Sequence, residues 1–381
     1  MHAFAQKVDI PSGTTLGGYA DRVHAVSTRA AQLEVHGISC DSGGTGWEIC
    51  AIDALYAGAL SGTKAAMGGP RVFAASHTHF APMLDPEKPD IGLLSPVVLR
   101  QFLEGIEGAP RVEATPESCT VFSAEVQIPV YRRFDFPATI FNRFLTGRAG
   151  FFPNEKHPVD RSVKIFVFSR NDVPLFAFAY HACHPVTRAN ANEVSADYVQ
   201  ALRDAVIERF GVTACLFFLG CAADIRPNLG RKRIRWLPKN RLNWRFKYPP
   251  TLQDEADIDQ QYRKAVHDAT PVESFPLMPA SFKLTEKEVA IEGAGIIKVP
   301  QLHIGQQLAF SFLPFEVSHR YHLDTLADTS LPRKFIVSCA DHTQGYLPHP
   351  SQIAAGGYEV DSSREAMNLK QRLQMNGSDL W

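Results

Sequence analysis

The stretch RVFAASHTHFAP, residues 71–82, ends an apolar run on two histidines, His77 and His79, with one threonine between them. Reactive side chains also follow four other apolar runs. His181, Cys183 and His184 come after 175–180, Asp224 and Arg226 after 214–219, and Glu316 after 308–313. Asp341, His342 and Tyr346 come after 334–339. Two imidazoles, a carboxylate and a further donor are the nitrogen and oxygen ligands of a catalytic zinc that keeps one position for water. If the first run is a strand, His77 and His79 lie two residues apart and share a face. A polar residue closing an apolar run needs a partner, and a metal or a hydrogen-bonded neighbour would each serve.

These side chains can meet only if their runs are strands opening on a common edge, where ligands of α/β proteins bind. Residues 71–76, 163–168, 175–180, 214–219, 308–313 and 334–339 are predicted to be buried strands. Asn171-Asp172 suits a hairpin turn between the second and third. The spacing predicts a helix over 195–211, with Ser195 as N-cap and Gly211 as its stop, and another over 362–377 opened by a Ser362/Glu365 capping box. Strands and helices interleave, which predicts an α/β chain built on a mixed sheet flanked by helices. Residues 1–381 read as one domain with an Arg- and Trp-rich insertion at about 226–256.

Seven cysteines are scattered with no C-x-x-C pair, so they read as reduced thiols and favour a cytoplasmic location. The first residues lack a basic segment followed by an apolar core, and no signal peptide is expected. No apolar run reaches the ~18 residues of a membrane span.

The net charge is −1, yet RKRIRWLPKNRLNWRFK (231–247) holds eight Lys and Arg and no acid, interleaved with Trp236, Trp244 and Phe246. One reading is a solvated loop. The other is an anion-binding flap containing Arg231 and Arg233 with Arg226 at its base, since arginine forks suit phosphate and carboxylate. The run would also suit peripheral contact with an anionic membrane. No recognition module for nucleic acid accompanies it, so none is expected as a partner.

Taken in order, these segments resemble the catalytic domain of the neutral, non-lysosomal ceramidases, zinc amidases that hydrolyse the N-acyl bond of ceramide. SHTHFAP (76–82) is similar to their T-H-T-H-[SA]-G-P segment. HACHPVTR…SADY (181–198) is similar to F-A-x-H-P-[VT]-S with its downstream S-x-D-N/Y, and AADIRPN (222–228) to G-D-x-S-P-N. LPFEVS (313–318) matches P-x-E-x-T, and DHTQGYLPHPSQIAAGGYEV (341–360) follows the spacing of Y-x-x-Y-x-x-T-x-x-E-Y…Y-E. The resemblance runs from about residue 15 to 370. It implies a ceramidase-like catalytic fold and one zinc per chain on His77, His184, Glu316 and Tyr346. It also implies active-site roles for His79 and Tyr358, and, through FNR at 141–143, substrate binding by Arg143.

Three departures matter. Arg226 stands where that family has a serine proposed as nucleophile, and an arginine cannot be acylated. The chain ends soon after GGYE, so the family's immunoglobulin-like C-terminal domain is expected to be missing, as is a secretion signal. All three point away from ceramide itself. The expectation is a zinc amidohydrolase acting on an anionic, small or lipid-like N-acyl substrate, such as a nucleotide-linked or glycolipid amino sugar or an N-acyl amino acid.

Zinc would lower the pKa of a water from 15.7 to roughly 7. His79 first, or His342 second, would carry the proton to the leaving amine, and Tyr346 would stabilise the oxyanion. Asp224 and Asp197 either accept from ligand N–H groups or serve structure alone, Asp197 within the first turn of the 195–211 helix. Two alternatives stand beside this reading: a metal-dependent esterase or phosphoesterase, and a non-catalytic relative that binds an anion.

Overall fold

Strands β1 (His2–Ile10), β2 (Ala31–Cys40), β3 (Trp47–Ile52), β4 (Arg71–Ala75) and β5 (Val112–Glu113) form one sheet, ordered β4-β3-β2-β1-β5. Only β3 and β4 run parallel in it. The computed structural model describes all residues except 20–21, 23–25, 42–45, 66–67, 136–148, 230, 234–243, 247–248, 279, 331 and 368. A second sheet takes β6 (Ser118–Glu125), β9 (Ser162–Arg170), β10 (Val173–His181), β11 (Ala214–Leu219) and β15 (Thr270–Pro276), ordered β11-β10-β9-β6-β15. Between them in sequence, β7 (Pro129–Asp135) and β8 (Ala149–Asn154) join β12 (Ile225–Pro227) in a small sheet ordered β12-β7-β8.

The remaining strands make two pairs and one larger sheet. A two-stranded ribbon pairs β13 (Arg231–Arg233) with β14 (Trp244–Phe246). The larger sheet is β16 (Phe282–Ile291), β17 (Gly295–Ile304), β18 (Leu308–Phe312) and β20 (Arg333–Val337), and β19 (Glu316–Val317) pairs in parallel with β21 (Tyr346–Leu347). The longer helices are α1 (Pro96–Gly108), α2 (Tyr198–Phe210), α3 (Leu252–Asp268) and α4 (His319–Ala327). The class is α/β as predicted, with several mixed sheets in place of one.

The second sheet explains why its strands read as unbroken apolar runs: both faces are buried. Phe166, Phe168, Phe176 and Phe178 pack with Phe218, Phe310 and Phe335 on one face. Val163, Ile165, Val167, Ala177 and Ala179 pack on the other with Val199, Leu202 and Val206 of α2. Each buried phenylalanine contributes about 1.5–3 kcal/mol. The turn joining β9 to β10 has Asn171 and Asp172 at φ 49° and 62°, the left-handed pair that a tight hairpin needs.

Two predicted helices differ. The N-cap of α2 is Asp197, whose side chain accepts from the Tyr198 N–H, while Ser195 Oγ accepts from the Asp197 N–H. Gly211 ends α2 in the left-handed conformation, as predicted. After a short helical turn at Ser363–Ala366 the predicted helix stops, and Ser362 makes no capping bond. Burial of Leu373 and Met375, two residues apart, draws the chain into extended form, and Gln374 bridges Glu292. The predicted insertion at 226–256 also contains structure: β12, the β13–β14 ribbon, and the start of α3 behind a Thr251/Asp254 capping box. All seven cysteines are free. Among the described residues, no helix is long and apolar enough to cross a membrane.

Candidate metal centre

His77 and His79 do not lie on a strand. β4 ends at Ala75, and the chain turns through His77 at φ 62°. The turn is held by N–H bonds from Ser76 to the Ile52 carbonyl and from His77 to the Ala54 carbonyl. His77 Nδ1 lies 3.2 Å from the Leu55 carbonyl, so Nε2 is the free nitrogen. The two rings meet at 5.0 Å because of this turn, not by strand alternation. The next residues are tied to the loop of His184, with the His79 N–H bonding the Pro185 carbonyl at 3.3 Å. Gly18, at φ 106°, cradles the His79 ring: a Cβ there would lie 2.6 Å from Nδ1.

His184 follows the end of β10, and its Nδ1 is shared between the carbonyls of Ala222 at 2.7 Å and Ile225 at 3.1 Å. The turn after β11 therefore fixes its tautomer and again leaves Nε2 free. Glu316 opens β19, where it is the register partner of Tyr346. Tyr56 donates to Glu316 Oε1 at 2.5 Å, which leaves Oε2 facing inward.

That oxygen lies 3.4 Å from His77 Nε2 and 3.5 Å from His184 Nε2. All three atoms are buried and none has a hydrogen-bond partner. A charge-assisted hydrogen bond would be about 2.7–2.9 Å. The edge of a tetrahedron of ligands around an ion bound at 2.0–2.1 Å is roughly 3.4 Å. The trio thus has the spacing of ligands around a cation, and its imidazole and carboxylate donors suit zinc. His79 is half-buried, with neither ring nitrogen bonded, and its ligand atom lies within 4.8 Å of those of His77 and His184.

Charge follows from this crowding. Burial, then the Arg132 guanidinium, pulls His184 down to about 4, so its imidazole is neutral near pH 7. Burial, then the neighbouring His77 and His184, holds His79 well below its usual value. At His77 burial opposes the charge, but Cys339 and Glu316 beside it outweigh burial and raise it well above 6.5. Glu316 is held well below the usual carboxylate range: burial would raise it, but the two imidazoles win.

Tyr346 is buried at the edge of the trio. Burial, then the Glu316 and Tyr358 charges, pushes its phenol well above 10. Its oxygen accepts from Arg132 Nη2 at 3.4 Å. Arg132 and Arg133 both pair with Glu359, at 2.8 and 2.6 Å. The Tyr358 ring lies 5.6 Å from that of Tyr346. Arg132 and Tyr56 were not singled out from sequence. The run Val130-Tyr131-Arg132-Arg133 has no alternation of apolar and polar residues that would mark Arg132.

His342 is 38% exposed, its Nε2 sits 3.0 Å from Glu87 and 3.9 Å from Asp85, and it is not in the His77, His79 and His184 group. Arg143 lies outside the described residues, as do the side chains of Arg231 and Arg233. Arg226 places its guanidinium 4.6 Å from the Phe246 ring and 5.4 Å from that of Phe151. Neither aspartate accepts from a ligand. Asp197 bonds Thr187 and Tyr198. Asp224 instead takes the Ser318 hydroxyl at 2.6 Å, the His319 N–H at 2.7 Å and the Gln352 amide at 2.7 Å. It thereby ties the turn that holds His184 to the segment that carries Glu316.

No known protein family's profile matches the chain, and no curated protein matches it in sequence. Solved structures do match. A neutral ceramidase from Pseudomonas aeruginosa superposes with a TM-score of 0.61 at 12% identity, over 97% of this chain and 71% of that one. A ceramidase complexed with C2 gives 0.60 at 12% identity, over 97% and 72%. The fold is that of the ceramidases. The ceramidase-like fold expected from five short segments therefore extends over nearly the whole chain.

Proposed function

We propose that the chain is a zinc-dependent amidohydrolase that cleaves an N-acyl bond, with one zinc held by His77, His184 and Glu316 and with Tyr346 beside them. The observation that carries this reading is the trio of buried, otherwise unpartnered donor atoms 3.4–3.5 Å apart. Bound there, the metal would polarise the amide carbonyl and acidify a water. His79, uncharged and with both nitrogens unbonded, would accept a proton from the attacking water and pass it to the leaving amine nitrogen. Tyr346 keeps its hydroxyl proton through burial and donates it to the carbonyl oxygen as negative charge develops there. Arg132 Nη2 donates to the phenol oxygen at 3.4 Å and helps to fix it.

The substrate is a small or lipid-like N-acyl compound bearing a negative charge, not plain ceramide. Arg226 supports this, since it stands in AADIRPN where the resembled segment has serine. The same donors would serve an ester or a phosphoester. Among the described residues there is one candidate metal group, without a second set of bridging carboxylates, which favours one-metal amide hydrolysis. Seven free cysteines favour a reducing compartment, the cytoplasm, with peripheral membrane contact by 231–247 as a further element of the proposal. The test is amine release from a panel of N-acyl compounds. Release that stops on chelation and returns with zinc supports the reading, whereas release indifferent to chelation contradicts it.

A further inference from the structure

A cleft of about 680 Å³ opens on one face of the β16–β17–β18–β20 sheet, and its lining includes none of His77, His79, His184, Glu316 and Tyr346. That volume is within the roughly 300–1,000 Å³ of small-molecule sites. Strand register builds the floor. Gln301 and His303, two residues apart on β17, share a face. Across the sheet Gln301 aligns with Ser311 and Ile336, and His303 aligns with Ala309 and Lys334. Ala309, small between two longer side chains, hollows the floor, while Leu302, Phe310 and Phe335 alternate away into the core. The wall is α4 with its C-cap, where Tyr321, Asp324, Thr325 and Asp328 recur at helical spacing. The turn Gly377–Leu380 closes one end and leads to Trp381. A Cβ on Gly377 would lie 3.3 Å from Tyr321 Cδ1.

The charged groups of this lining are engaged with one another. Asp324 accepts from Arg320 at 2.9 Å and from the His349 imidazole at 3.1 Å, and Asp328 pairs with Lys334 at 2.5 Å. Burial lowers His303 and His349 from 6.5, so both imidazoles are neutral near pH 7. Three uncharged polar groups have no such engagement. Gln301, 7% exposed, donates to Ser311 Oγ at 2.9 Å and to the Leu380 carbonyl at 2.8 Å. Among the described residues its Oε1 has no hydrogen-bond partner, and neither the His303 ring nor the Trp381 indole N–H has one.

An apolar occupant would strand these groups at about 1–3 kcal/mol each. A charged occupant would compete with ion pairs that are already closed. The lining therefore suits an uncharged molecule with hydroxyls around its rim and a C–H face for an aromatic ring. We propose that this cleft binds an uncharged pyranose sugar, with its C–H face on Trp381 and its hydroxyls on Gln301 Oε1 and His303. The site is separate from the metal centre and stands whether or not the chain is a hydrolase.

The test is calorimetric titration of the zinc-loaded full chain with the methyl β-glycosides of glucose, galactose and mannose, alongside cyclohexanol and tetramethylammonium. At least one glycoside is expected to bind about tenfold tighter than either comparison compound, the scale of one or two neutral hydrogen bonds. His303→Ala, which breaks no hydrogen bond, and Trp381→Ala each weaken that glycoside about tenfold, and circular dichroism verifies the fold of both variants. His184→Ala, at the metal centre, leaves the affinity unchanged. Binding of none of the glycosides, or equal binding of cyclohexanol or tetramethylammonium, would overturn the proposal. Affinity that survives His303→Ala or Trp381→Ala would overturn it too, as would affinity lost in His184→Ala, which would place the sugar at the metal centre.

Discussion

Tyr56 donates its phenolic hydrogen to Glu316 Oε1 at 2.5 Å across 260 residues of sequence. That bond decides which carboxylate oxygen faces His77 and His184. Tyr56 is in turn held by Lys88, whose ammonium lies 5.3 Å from its ring centre and pairs with Asp85 at 2.7 Å. Partners of this kind set metal affinity by about 10- to 100-fold. Tyr56→Phe is expected to weaken zinc binding by at least the lower figure, measured by competition with a chromophoric chelator. Unchanged affinity would mean that β19 alone orients Glu316.

Asp224 should matter for stability as well as for metal. Its carboxylate satisfies three donors, from Ser318, His319 and Gln352. Removing it strands buried polar groups at about 1–3 kcal/mol each. Asp224→Ala is predicted to lose about 3 kcal/mol or more in urea unfolding and to bind zinc more weakly. A loss under about 1 kcal/mol would show that the turn after β11 holds itself.

His79 separates proton transfer from ligation. If it moves the proton, His79→Gln lowers kcat by about 10²–10⁴-fold while the zinc content stays at that of the wild type. Loss of zinc in this variant would instead make His79 a third imidazole ligand.

Asp341 carries a pH dependence remote from the metal chemistry. Its Oδ1 accepts from the Phe73 N–H at 2.9 Å, and burial raises its carboxyl from 3.8 to about 7. Between those values the native chain holds a proton that the unfolded chain has released. Stability therefore falls as pH rises from about 4 to 7, by roughly 2–4 kcal/mol from this group. Asp341→Asn keeps the acceptor and tolerates the φ of 44°. It is expected to raise Tm at pH 8 and to leave it nearly unchanged at pH 4. An equal shift at both pH values would rule out this titration.

The strands most legible in the sequence are those buried on both faces. β9, β10, β11, β18 and β20 read as apolar runs because phenylalanines fill one face and aliphatic side chains much of the other. The long hairpin of β16 and β17 was not read, because polar residues such as Lys283, Glu286, Glu288 and Lys298 break its pattern. At the site, His77, His184 and Glu316 were legible because each closes an apolar run. His342, which follows an apolar run in the same way, lies beside Glu87, beyond Cys339 and Asp341 in left-handed backbone at φ 55° and 44°, which no composition signal reveals. Tyr56 and Arg132 were hidden for the opposite reason. They act through contacts distant in sequence, with Glu316, Tyr346 and Glu359.

The central claim is that His77, His184 and Glu316 hold one metal ion. Elemental analysis after equilibration with zinc and dialysis against metal-free buffer tests it directly, on the wild type and on His184→Ala. About one zinc per chain in the wild type, lost in the variant, is the predicted result. A wild type that retains no zinc, or a His184→Ala variant that retains as much as the wild type, would contradict it.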